Sequence, residues 1–235
     1  MPEWGAQSFQ AAWFQDQQSV DLGHFFEKIV GAKPDAVTQQ SVGVSVAVGN
    51  DGKTQYRCHM QPGRLDYFEA LVPGPGNAFP LFVPPEEYLP IFVDRAMKAE
   101  VGNVARLALV SNLFKPIPSD GNITEEMKAA LGLRFPFEGG SDLFLQINRP
   151  MAFPSKPDLQ MNRLLKFQGQ SFQSIQLDAG APIITTAQFV TLEVDLNLPA
   201  TPGLSFPPSD QALIWNDLKT EAMRLCAART LAALA

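Results

Sequence analysis

From Ser41 onward, apolar and polar residues alternate along this chain at period two, the spacing of a half-buried strand. Val42, Val44, Val46 and Val48 fall on alternate positions, and Asn50-Asp51-Gly52 follows at once. Asp-Gly tolerates the positive φ angles of a tight reversal, so the pattern predicts a hairpin. The return strand, Thr54 to Gln61, sets Tyr56, Cys58 and Met60 inward and Arg57, His59 and Gln61 outward. Pro62-Gly63 turns the chain again, into a third strand from Arg64 to Leu71.

Beyond a Pro/Gly-rich loop, Pro84-Pro85-Glu86-Glu87 opens a helix, since proline fits the first turn and carboxylates suit the positive end of the helix dipole. Tyr88, Ile91, Phe92 and Met97 are its expected core side, with Pro90 near enough to the start to be tolerated. Val104 to Phe114 reads as a fourth strand, and Asn122 with Glu125 as the start of a short helix ending near Gly132. Asp142 to Arg149, Met161 to Leu177 (bent or bulged at Gly169) and Thr185 to Leu198 are three more strands. The last is the cleanest, with Val190, Leu192, Val194 and Leu196 opposed to Thr191, Glu193, Asp195 and Asn197. Ser209 is the expected cap of a terminal helix whose stripe is Ile214, Leu218, Ala222 and Leu225. In the first forty residues, Phe9, Trp13 and Phe14, then Phe25, Phe26 and Ile29, suggest two helical segments broken near Gly23.

Strands outnumber helices and do not alternate regularly with them, which argues against a doubly wound parallel sheet. The expected fold is therefore α+β, a single twisted antiparallel sheet of six or seven strands with helices mainly on one face. It is read as one domain over 1–235, with a helical lead over 1–40, the sheet and two inserted helices over 41–198, and a carboxyl-terminal helix over 209–235.

Composition narrows the functional classes. At 235 residues with 46% hydrophobic and 18% charged content, the chain can bury a sizeable core. A net charge of -6 opposes direct nonspecific binding to nucleic acid, which needs a basic surface. Cys58 and Cys226 read as buried thiols, since two distant cysteines make no disulfide framework. No secretion signal or membrane-spanning run stands out, which points to the cytoplasm.

Candidate chemistry is sparse. Two histidines, His24 and His59, cannot build a histidine-rich metal site. Nucleophile elbows and phosphate-binding loops are absent, and Gly74-Pro75-Gly76 is a turn. Glu193 and Asp195 share one side of a strand, but two carboxylates fall short of a hard cation's needs, and a solvated sheet face accounts for them. No cofactor or metal is expected. The best polar cluster joins Arg64 and Asp66 on the third strand, Arg106 on the fourth, Asn148-Arg149 ending the fifth and Asn162-Arg163 beginning the sixth. Arginines near strand ends can converge on an anion through their planar forks, or pair with Asp66, Asp142 and loop carbonyls.

Three stretches carry a resemblance: Arg64-Leu65-Asp66, Ser141-Asp142-Leu143-Phe144-Leu145-Gln146-Ile147-Asn148-Arg149-Pro150, and Met161-Asn162-Arg163-Leu164. In these, and from about Tyr56 to the end, the chain resembles a sporadically distributed family of uncharacterised bacterial proteins. That resemblance implies accessory genes of antiphage systems or cargo of mobile elements, and so a noncatalytic subunit that binds another protein. Self-association is a further expectation, through the Ala-rich end of the terminal helix or an exposed sheet edge. The rival expectations are a small-ligand or nucleotide-binding protein with an arginine-lined pocket, and an enzyme with an unfamiliar carboxylate site.

Overall fold

A computed structural model describes residues 4–15, 20–74, 77, 79, 82–119, 121–132, 143–178 and 181–234. The central meander folds as its alternation requires, with β3 (Val44–Asn50), β4 (Thr54–Gln61) and β5 (Arg64–Leu71) antiparallel. Asp51 Oδ1 accepts from the amides of Lys53 at 2.9 Å and Thr54 at 2.7 Å, and Gly52 takes φ 88° between them. The local hydrogen bonds and the missing Cβ make this reversal cheap. One detail differs from expectation. A strand β2 (Ala36–Ser41) precedes β3, and Val42 sits 94% exposed in the turn between them, beside Gly43 at φ 75°.

The amino-terminal segment corrects the sequence reading more deeply. Residues Gly5–Phe14 form strand β1 instead of a first helix. The second segment is helical as expected: α1 (Leu22–Val30) is capped by Asp21, which accepts from His24 N at 3.1 Å, and it ends at Gly31 with φ 83°. Phe9, Ala11 and Trp13 are buried, an alternation hidden by two small alanines and by a register shift between Ala6 and Ser8. Phe9, Trp13 and Phe14 mimic a helical spacing once the alanines between them are ignored.

The remaining elements are α2 (Pro85–Ala96), β6 (Arg106–Pro116), α3 (Ile123–Leu131), β7 (Phe144–Asn148), β8 (Met151–Ala152), β9 (Gln160–Asp178), β10 (Ala181–Asn197) and α4 (Pro208–Ala228), with a 3-10 turn at Leu231–Leu234. Asn122 caps α3 through Thr124 N and Glu125 N, as anticipated, whereas α4 begins one residue before Ser209, after Pro207. The sheet is antiparallel throughout, in the order β2-β3-β4-β5-β1-β6-β10-β9-β7, with β8 paired to β9. It holds ten strands among the described residues, not six or seven; β1, β2 and β8 are the additions.

The four helices lie on one face. Phe92 of α2 stacks on Phe9 at 5.4 Å and Tyr67 at 5.3 Å, and Trp13 meets Phe25 of α1 at 5.7 Å and Trp215 of α4 at 5.4 Å. Each such ring, fully buried, stabilises the fold by roughly 1.5–3 kcal/mol. On β3 the helix side carries Ala47 and Gly49, and a Cβ on Gly49 would meet the Phe26 ring at 2.7 Å. Gly169 plays the same part for α3. Its pairing with Val190 is regular, so β9 has no bulge there, and a Cβ would stand 2.1 Å from Ile123 Cγ2. That glycine admits a helix instead of bending a strand. No helix of the described residues is long and apolar enough to cross a membrane.

Candidate functional site

Because side chains alternate across a strand, the face opposite the helices is set by parity. Phe14, Arg64, Asp66 and Arg106 project from it on neighbouring strands, since Phe14 pairs with both Arg64 and Arg106, and Ala12 with Asp66. Arg64 is answered locally: its Nε donates to both Asp66 oxygens at 2.9 Å, and Gln10 Nε2 adds a bond to Oδ1 at 2.8 Å. The Phe14 ring lies under two guanidiniums, Arg64 at 4.9 Å and Arg106 at 4.5 Å. Arg106 has no carboxylate in contact among the described residues, and its buried Nε lacks a hydrogen-bond partner. Burial holds the Arg106 guanidinium below its ordinary value, against the pull of Asp195.

The other expected site residues part company with these. Asn148 and Asn162 stay on the open face, in a relay that runs from Asn148 to Asn162 at 3.2 Å, to Asn197 at 3.0 Å and to Asp195 at 2.8 Å. Arg163, one residue on, faces the helices instead. It is 6% exposed and donates from Nη1 to Glu221 at 3.0 Å, from Nε to the Arg149 carbonyl at 2.8 Å and from Nη2 to the Leu234 carbonyl at 3.1 Å. Arg149 is exposed and contributes its backbone. The seven residues therefore do not converge on one site. Glu193 and Asp195 lean on Lys166, which bonds Glu193 and lies 4.0 Å from Asp195. No group of three or more potential metal ligands occurs among the described residues.

Two features escaped the sequence reading. The first is a buried carboxylate, Glu69, 1% exposed, that takes hydrogen bonds from Tyr67, from Tyr88 at 2.5 Å and from Arg95 Nη1 at 2.9 Å. All three tyrosines of the chain gather here, because the Arg95 guanidinium also lies 5.6 Å from the Tyr56 ring. Burial and the Asp51 hydrogen bond push the Tyr56 hydroxyl up to about 12, and Tyr67 and Tyr88 are raised as well, chiefly by burial. Hydroxyls held protonated and fully bonded are poor acids and bases at neutral pH. This cluster ties α2 to the sheet. Both cysteines are buried free thiols, and burial raises Cys226 to about 12, so neither is a ready nucleophile.

The second feature is the far end of the β9–β10 hairpin. Pairing of β10 with β6 stops at Phe189 and Pro116, and pairing of β7 with β9 stops at Gln168. Beyond those points, among the described residues, the ladder is β9 with β10 alone, from Ser171 paired with Gln188 to Asp178 paired with Ala181, with Ile117 N still donating to the Gln188 carbonyl at 2.9 Å. This two-stranded ribbon projects about 25 Å. Ile175 and Ile184 are direct cross-strand partners and are 66% and 60% exposed. At its base, Phe79, Phe82, Phe114, Phe172 and Phe189 line a cavity of about 240 Å³. Phe82 stacks on Phe114 at 5.5 Å, and Phe172 meets Phe189 at 5.6 Å. Between Lys166 and Glu193 the sequence carries one charge, Asp178, a signal that was open to reading. No protein-family model matches this chain, and no curated protein matches it significantly.

Proposed function

We propose that this protein is a noncatalytic interaction protein, an accessory subunit of a bacterial multi-protein system such as antiphage defence or a mobile element. The observation that carries the reading is the projecting β9–β10 ribbon, whose outer edges pair with no strand among the described residues, and its exposed Ile175–Ile184 pair. Isolated two-stranded ribbons are marginal in water, and edges left unguarded by lysine or other charge recruit strands. The occupant that fits is an extended strand of a partner protein, added edge-on and covering the two isoleucines. The phenylalanine-lined cavity at the ribbon base offers an anchor for one apolar side chain of that strand. The catalytic alternative has less support, because the buried Glu69 and the Glu193–Asp195 pair each have cationic partners in place.

The test is a pull-down of tagged protein from its source organism, with size-exclusion chromatography of the same sample. Wild type should recover a stoichiometric partner that Ile175→Asp/Ile184→Asp loses while keeping its melting temperature. A monomer that brings down no stoichiometric protein overturns the reading.

A further inference from the structure

A cleft of about 520 Å³ lies at the opposite end of the sheet from the ribbon, between the start of β6 and the loop that leads from β10 to α4. Its walls include Phe14, Arg106, Thr201, Pro202, Leu204 and Ser205. The backbone fixes these walls. Ala105 N donates to the Phe14 carbonyl at 2.7 Å, Val104 and Phe206 exchange hydrogen bonds at 2.7 and 3.1 Å, and Leu198 N donates to the Leu107 carbonyl at 3.1 Å. The loop is thus pinned at both ends beside the Arg106 side chain.

Arg106 is the unresolved charge of this cleft. It forms no ion pair with the described residues, and its buried Nε has no acceptor. The nearby acids are committed elsewhere: Asp66 to Arg64 and Gln10, and Asp195 to Asn197 with Lys166 at 4.0 Å. A partly buried guanidinium with no carboxylate in contact is costly, and Arg64 over the same Phe14 ring adds like charge. Both facts call for an oxyanion from outside. Asp195 has to share Lys166 with Glu193, so negative charge stands close by and a singly charged group suits the site better than a phosphate dianion. Carboxylate geometry also matches the guanidinium fork. Phe14, Pro202 and Leu204 then suit an apolar body, and the volume is that of a small-ligand site.

We propose that this cleft binds a carboxylate carried on a small apolar body, with its oxygens held by Arg106 and its apolar part against Phe14, Pro202 and Leu204. The carboxylate belongs to a free small acid or to the carboxyl terminus of a peptide, and this assignment is independent of what the ribbon binds.

The experiment is a chemical-shift titration of the full chain with hexanoate, hexanamide, and an acetylated dipeptide ending in leucine, as free acid and as amide. An acid should bind at least about tenfold more tightly than its amide, the scale of one charge-assisted fork. Arg106→Gln should reduce the acid to the level of the amide, and Arg106→Lys, the variant that keeps the charge, should retain a weakened preference for the acid. Preference for hexanoate identifies a free small acid as the source, and preference for the peptide acid identifies a chain terminus; either supports the site. Equal titration of acid and amide, an undiminished acid response in Arg106→Gln, or no saturable response by about 20 mM overturns it.

Discussion

Arg163 and Arg106 begin from similar positions, each near the first residue of a long strand in the same sheet, yet they meet opposite environments. Arg163 points to the helix side, where α4 supplies Glu221 and the chain end supplies the Leu234 carbonyl. Arg224 completes that group, bonding Glu221 at 2.7 and 2.8 Å and the Ala233 carbonyl at 2.7 Å. Arg106 points to the other side, where it finds an aromatic ring and no acceptor. The difference teaches that strand parity decides which partners a charged residue can reach here. On the helix-covered face Arg163, Arg224 and Glu221 bond one another's groups and Arg95 bonds Glu69, so those charges hold structure. The uncovered face pairs Arg64 with Asp66 and Lys166 with Glu193, but leaves Arg106 without an acceptor among the described residues.

The sharpest way to break this comparison is to delete each arginine in turn. Arg163→Ala strands Glu221 against Arg224 alone and frees the last turn of the chain, and it should cost about 3–5 kcal/mol in urea denaturation. Arg106→Ala should change stability by no more than about 1 kcal/mol, and equal losses would end the distinction. Next in size is Gly169→Ala, which drives a methyl into Ile123 and should cost about 1–3 kcal/mol, with loss of α3 packing seen in the near-ultraviolet spectrum.

A smaller effect separates the faces by pH. Burial works to raise the Glu221 carboxyl, but hydrogen bonds from Arg224 and Arg163 outweigh it and hold the group below the ordinary 4.5. A depressed carboxyl contributes stability that is present above 4.5 and is lost as pH falls through the lowered value. Wild type should therefore lose stability in that acid window, and Glu221→Gln, already weaker at neutral pH, should lose less there. Smallest of all, Ile175→Ser with Ile184→Ser should leave stability within about 0.5 kcal/mol by thermal melting, because both side chains already face water. A large loss would mean that the ribbon is part of the structural core.

Much of the fold was legible because its strands obey simple alternation. Thr54–Gln61 and Arg64–Leu71 were bounded correctly from turn residues and β-branched or aromatic spacing, and Ile214, Leu218, Ala222 and Leu225 are all buried as the helical stripe requires. β1 was missed because alanine weakens the apolar signal and an irregular pairing breaks its period. β2 was missed because an edge strand exposed along its whole length has no inward face to display. Of the expected site, Arg64, Asp66 and Arg106 do share a face, while Arg163 does not. One-dimensional spacing gives the parity within a strand but not which parity the helices will cover. The Glu69 cluster was illegible for a related reason, since Tyr88 and Arg95 reach it from a helix distant in sequence.

The position of β1 has a consequence for how this molecule comes into being. It is the first of the described strands, yet it is the seam between β5 and β6, so the two halves of the sheet are joined through it. Its partners on one side lie about fifty to sixty residues later and on the other about a hundred, as in Ser8 with Ala70 and Asn112. A ribosome emits this segment well before either neighbour, and long loops must close before its ladders form. The complete sheet can therefore close only after β6 has been made, and until then Phe9 and Trp13 lack the cover that the finished sheet and its helices give them.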